Sequence, residues 1–304
     1  MSARLIPNIL FIVLFGSPAV YAQGYMQYLI RADSAFQKGN YEESARLFVT
    51  AISLGADQQS DFYFAAGVSF AMCGNTDSAF FLLDQAIRKG SRNLNAIQND
   101  SSFAGLWTDP RWHSYFNQWT DIAARSEKGL NKPLQDELLR MADEDQEVRK
   151  TIPSPQDSAQ WKSIIQGDRI HAARLKEIVR RYGWPGKSLV GEKASHMAWL
   201  LVQHADFDRD LQDTCLALLS TMTKSGDANP SDLAYLTDRV LINKGEKQIY
   251  GTQTRWVDST SSYATLPIAD EANVDRRRSE VGLAPISEYL QFLNRTLSPK
   301  RSGK

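Results

Sequence analysis

The feature that most limits how this chain can fold is a helical pattern that recurs 35 residues apart, with Gly39-Asn40 in one copy and Gly74-Asn75 in the next. The same offsets then carry a small residue (Ser44, Ala79), a large apolar one (Phe48, Leu83) and an alanine (Ala51, Ala86). Glycine can close a helix in a left-handed turn that other residues enter only with strain. Small residues on the following helix let the two helices approach closely. A recurrence of this length is one helix–turn–helix unit, which cannot bury its apolar face alone and must stack on a neighbour. The N-terminal part of the chain is therefore predicted to be a stack of helix pairs.

In these residues the pattern resembles tetratricopeptide repeats, and the array is placed at 25–124. Two units fall short of the three usually needed for a continuous core. The next segment, Leu94 to Trp119, carries Phe103, Leu106 and Arg111-Trp112. It resembles the degenerate last unit that closes such arrays, so its aromatics are expected to pack rather than to cage a ligand. The array is expected to meet a protein partner or the chain's own second domain.

The N-terminus reads as a secretory signal peptide over 1–22: Arg4, an apolar run from Ile6 to Phe15, and Val20 and Ala22 at the two positions that signal peptidase inspects. The expectation is an exported, periplasmic or secreted protein without a membrane anchor, because the run is too short to span a bilayer and no cysteine follows it. Lys plus Arg and Asp plus Glu number 35 each, leaving no net field for a nucleic acid. The Arg276-Arg277-Arg278 run lies between Asp275 and Glu280 and is expected to be a solvated or ion-paired face. Lys300, Arg301 and Lys304 read as a basic tail. Cys73 and Cys215 each fall in a helical pattern and are expected to be small buried hydrophobes rather than a disulfide.

A polar link from Arg125 to Pro133 separates the array from a second domain at 131–298. Helices are predicted from Leu134 to Lys150, from the Ser154-Pro155-Gln156-Asp157 cap to Tyr182, from Glu192 to Gln203, from Arg209 to Thr223, from Asn229-Pro230 to Lys244, and from Ile286 to Leu297. Gly183-Trp184-Pro185 stops the second of these, since proline cannot continue the ladder. Period-two alternation from Gln248, with a return from Ser262 to Leu266, predicts a small β-hairpin at 248–267. The fold class is thus mainly α, a short tetratricopeptide-like array followed by a helical domain with one hairpin.

Within that domain Asp145-Gln146 with Arg149, Asp168, Gly183-Trp184-Pro185, Gln203-His204-Ala205-Asp206 with Gln212, Leu236-Thr237-Asp238-Arg239-Val240 and Tyr250-Gly251-Thr252-Gln253 follow in order. The succession resembles an uncharacterised bacterial family of unknown function, and that resemblance implies a domain type and a shared polar cluster without an activity. His204 is the leading candidate for chemistry, because Asp206 or Asp208 could fix its tautomer and raise its basicity. The alternative is a helix cap. Asp145, Gln146, Arg149, Asp168, Gln212, Tyr250 and Gln253 are expected to converge with His204 and Asp206 on one cluster that binds a small polar ligand. Carboxylates there could instead be ion-paired with Arg149, Arg174 and Arg239. No two histidines stand at i, i+4, so no metal is expected, and no cofactor motif occurs. A Ser or Cys nucleophile motif is also lacking. Two functions stay open: a binding or scaffold protein, and a hydrolase using His204 with a carboxylate.

Overall fold

The computed structural model describes residues 22–54, 60–91, 93–149 and 158–296. Apart from Ala22, the leader lies outside the described residues, as do the Ser154 to Asp157 cap and the basic tail. The chain is mainly helical, with one two-stranded antiparallel sheet among the described residues. It divides into two compact units, one formed by residues up to 128 together with 278–297, the other built on 129–277.

In the first unit four helices follow one another: α1 (Ala22–Gln37), α2 (Tyr41–Ser53), α3 (Ser60–Met72) and α4 (Thr76–Arg88). Each packs against the next. The turns α1–α2 and α3–α4 contain Gly39 at φ 79° and Gly74 at φ 80°, in the left-handed region. All six recurrent positions, Ser44, Phe48, Ala51, Ala79, Leu83 and Ala86, are buried. Close approach is most demanding at Gly67, where an added Cβ would lie 2.8 Å from Leu83 Cγ. Short helices α5 (Leu94–Asn99) and α6 (Ala104–Trp107) lead to α7 (Trp112–Ser126). Phe103, Leu106, Trp112 and Trp119 join the core of α3 and α4, so these aromatics are packing residues. Arg111 bridges Asp77 at 2.6 Å and Asp109 at 2.7 Å, with its guanidinium over the Phe80 ring.

The second unit contains α8 (Lys132–Arg149), α9 (Ser158–Tyr182), α10 (Lys187–Val190), α11 (Glu192–Gln203), α12 (Arg209–Lys224) and α13 (Pro230–Asn243). Helix α11 is its hub. It packs against α8, α9, α12 and α13, and it buries Ala194, Met197, Ala198, Trp199, Leu201 and Val202. A helix apolar on so many sides belongs in the middle of a bundle. What α11 presents at its C-terminal end is therefore surrounded by the other helices.

Several sequence expectations need correction. The hairpin is shorter than 248–267: β1 is Thr254–Val257 and β2 is Ser262–Thr265, with Thr254 opposite Thr265. Gln248 makes only an isolated parallel bridge to Ile268. The residues between are pulled out of strand geometry by the buried Asp238 carboxylate, which accepts the backbone N–H groups of Ile249 (2.7 Å), Tyr250 (3.0 Å) and Thr252 (2.9 Å) and the Thr252 hydroxyl (2.9 Å). Of the basic run, read as a solvated or ion-paired face, Arg277 is ion-paired with Asp270 at 3.0 Å, but Arg278 is not at a face. Arg278 is 1% exposed, donates Nε–H to the Ala284 carbonyl and lies over the Tyr289 ring. Arg277 ties down the carbonyls of Ile249, Ala269 and Asp270. These two residues belong to α14 (Val274–Glu280), which the sequence reading left out. Both cysteines are free, yet only Cys215 is buried, because Cys73 falls just past the end of α3. Burial pushes the Cys215 thiol up to about 12, with the nearby Asp208 carboxylate adding to it.

Candidate functional site

The C-terminal end of α11 places His204 at the helix cap, against the last turn of α8 and the middle of α9. His204 Nδ1 lies 3.0 Å from both carboxylate oxygens of Asp145 on α8. Asp145 is 1% exposed, a costly position for a carboxylate unless it is fully bonded. Its partners are His204, the Gln146 amide at 2.8 Å and the Arg149 guanidinium at 2.6 Å. Arg149 extends its other arm to Asp168 on α9, 2.5 Å away. One arginine thus joins two carboxylates from two helices, and the histidine closes the cluster.

The two acids are held in opposite states of readiness. Burial would push Asp145 up, but the hydrogen bond and charge of His204, with Arg149, outweigh it and hold this carboxyl below the ordinary value. Burial dominates at Asp168, where Arg149 only partly offsets it, and this carboxyl is raised. Paired groups whose environments drive them apart in this way are the pattern of acid and base assignments. With Nδ1 held against the Asp145 carboxylate, Nε2 is the ring nitrogen turned away from it. Among the described residues Nε2 has no hydrogen-bond partner, and the side chain is 22% exposed.

Of the nine residues expected in one cluster, eight are distributed around two centres, and Tyr250 lies with neither. Asp145, Gln146, Arg149, Asp168 and His204 form the group just described. Asp206 and Gln212 gather with Gln253 around Arg239 and Asn243: Arg239 makes a forked ion pair with Asp206 and donates to Gln253 at 3.2 Å, and Asn243 donates to Asp206 (2.9 Å) and Gln212 (3.1 Å). The partner of His204 is Asp145, 59 residues away, rather than Asp206 or Asp208. Asp206 is taken by Arg239: burial would raise its carboxyl, but the hydrogen bond and charge of Arg239, with the hydrogen bonds from Asn243 and Gln212, outweigh it and hold it below the ordinary value. Asp208 caps α12 through Leu211 N–H (3.2 Å) and pairs with Lys176. Tyr250 contributes its backbone N–H to Asp238. Arg174 pairs with Glu137 and Glu177.

Arg239, Asn243 and Asp238 are central to this architecture; the sequence offers Asp238 as one of four candidate acids and Arg239 as an ion-pair partner, and it gives no sign of Asn243. Asp238-Arg239 sets adjacent opposite charges in the apolar stretch Leu233–Ile242, and a buried carboxylate there demands partners. Residues Leu134, Gln135 and Trp184, which the family resemblance passes through, are buried framework positions.

The profile of a family of unknown function (DUF6624) matches residues 132–300, more than half of the chain. The chain belongs to this family. Neither a curated protein nor a solved structure matches it. The DUF6624 match contains both polar centres and runs on through 278–297, the segment that packs in the first unit.

Asp145, Asp168 and His204 of this DUF6624 chain place one ligand-type atom each within 4.8 Å of one another, a grouping that could hold a cation. The Arg149 guanidinium already bridges the two carboxylates and Nδ1 stands at hydrogen-bonding distance from Asp145, contacts that an ion would have to displace.

Proposed function

We propose that the DUF6624 unit is an acid–base catalytic centre of hydrolase type, built on His204 and Asp145. The observation that carries this reading is the unpartnered Nε2 of a histidine whose Nδ1 is locked onto a buried, ionised carboxylate. His204 Nε2 takes a proton from water as the water attacks, and the resulting imidazolium is stabilised by Asp145. Asp168, whose carboxyl is raised by burial with Arg149 partly offsetting it, lies within 4.8 Å of the His204 and Asp145 groups and is the acid assigned to the leaving group. Water is assigned as the nucleophile because no serine, threonine or cysteine bonds to Nε2 among the described residues. Arg149 keeps the two acids apart in charge while holding both in place.

The test is a screen of chromogenic ester, amide, phosphoester and glycoside substrates with the wild-type chain and His204→Ala. Turnover that falls by about a hundredfold or more in the variant supports the reading, which is the range for loss of a general base. Wild-type activity no greater than that of His204→Ala on every bond type would refute it. A large drop in thermal stability of His204→Ala in the same samples would point to a structural network, of about 1–3 kcal/mol for partners left unsatisfied.

The same proposal takes the first unit as a tetratricopeptide-like array serving partner contact. What supports it is the burial, at 35-residue spacing, of matched small and large side chains. Export rests on Arg4, the apolar run and the Val20-Tyr21-Ala22 site; N-terminal sequencing of protein from the extracytoplasmic fraction tests it, with Gln23 expected as the first residue.

A further inference from the structure

Arg169 follows Asp168 on α9, and Phe207 follows Asp206 in the turn after His204. The Arg169 guanidinium lies over the Phe207 ring, 5.3 Å from its centroid. Phe207 is 44% exposed, so this ring is held at the surface rather than buried. Arg169 has no carboxylate partner among the described residues, whereas Arg149, Arg174, Lys176 and Arg239 are each paired. The contact joins α9 to the α11–α12 turn, the same two elements that bring Asp168 and His204 together.

A guanidinium stacked on an aromatic face is pre-oriented and keeps its edge donors free for an oxyanion, which it can engage through two parallel hydrogen bonds. Asp168 and Asp206, which precede Arg169 and Phe207 in sequence, are each already paired, with Arg149 and Arg239. We propose that Arg169, braced by Phe207, is the substrate-anchoring subsite of the His204 centre, and that the substrate carries an oxyanion group, carboxylate or phosphate, next to the bond that is cleaved. The exposed Phe207 ring supplies an apolar wall for the carbon skeleton beside that group. This deepens the acid–base reading of His204 and rests on it only for the position of the reacting bond.

The experiment is an NMR titration of the His204 ring protons in the full chain with sodium benzoate, with inorganic phosphate and, as the neutral counterpart, with benzyl alcohol. A saturable shift with benzoate or phosphate at millimolar concentration, absent with benzyl alcohol, is expected, and the tighter of the two anions identifies the group. Arg169→Gln should weaken that binding about tenfold or more, the effect of losing a charge-assisted pair. Arg169→Lys, which keeps the charge but not the fork, should weaken it less. No saturable shift with either anion, an equal shift with benzyl alcohol, or unchanged binding in Arg169→Gln would overturn the proposal. Failure of the catalytic reading is distinguishable, since it appears as missing His204-dependent turnover while anion binding at Arg169 persists.

Discussion

Asp145 shows how one buried side chain can organise a site that its neighbours in sequence do not announce. In Asp145→Asn the amide no longer enforces the Nδ1–H tautomer, so His204-dependent turnover should fall by about a hundredfold or more with little change in shape. Steady-state kinetics on the best substrate of the screen decide this, and an unchanged kcat would contradict the role of Asp145. A second histidine of α11 also pairs with a carboxylate, this one from α13: His196 Nδ1 is 3.0 Å from Asp232, with the ring stacked on Trp199. Burial would lower this histidine, but the charge and hydrogen bond of Asp232 outweigh it and raise it above the ordinary 6.5. The folded state therefore holds the proton more tightly than the unfolded one. The resulting stability is complete below the ordinary value and is lost as pH rises through the raised one. Melting temperatures of wild type and His196→Gln should converge as pH increases from about 5.5 to about 8.5; a gap that widened would show the sign to be wrong. At Asp238 the loss is structural. Asp238→Ala strands the N–H groups of Ile249, Tyr250 and Thr252, and chemical denaturation should report a loss of about 3 kcal/mol.

Among the elements, helices were legible where glycine, proline and cap residues mark their ends, as at Gly183-Trp184-Pro185 and Asn229-Pro230, because those signals act within a few residues. The hairpin was overextended because the force that shortens it comes from Asp238 on another helix, and alternation alone cannot register a distant carboxylate. The partner of His204 was missed for the same reason, as Asp145 reaches it only through the packing of α8 on α11. Even equal sequence signals can differ in what they do. Asn75 accepts a hydrogen bond from Ser78 N–H at 3.1 Å, whereas Asn40 makes no side-chain cap bond at the matching turn. Asn75→Ala should cost about 1 kcal/mol and Asn40→Ala clearly less, as read from thermal unfolding of the two variants; equal losses would mean that the shared Gly-Asn pair, rather than the cap bond, sets the stability.

For the whole molecule, the family match and the packing divide the chain differently. The 278–297 segment falls within the DUF6624 match but packs in the first unit, where Ala284 lies against the core of Tyr25, Phe48 and Phe62. Removing 278–304 should lower amide protection in α1 to α3 while leaving α8 to α13 as protected as before, which hydrogen exchange with mass spectrometry can resolve; undiminished protection in α1 to α3 would show that the array closes by itself. The buried Arg278 marks the beginning of this closing segment. Its position also imposes an order on biosynthesis. When the ribosome has made the four helices of the array, it must still translate 129–277 before the closing segment exists, an interval on the order of ten seconds at ordinary elongation rates. The part of the chain made second is thus the first able to complete its fold, and the nascent array is the part that needs protection from aggregation while it waits.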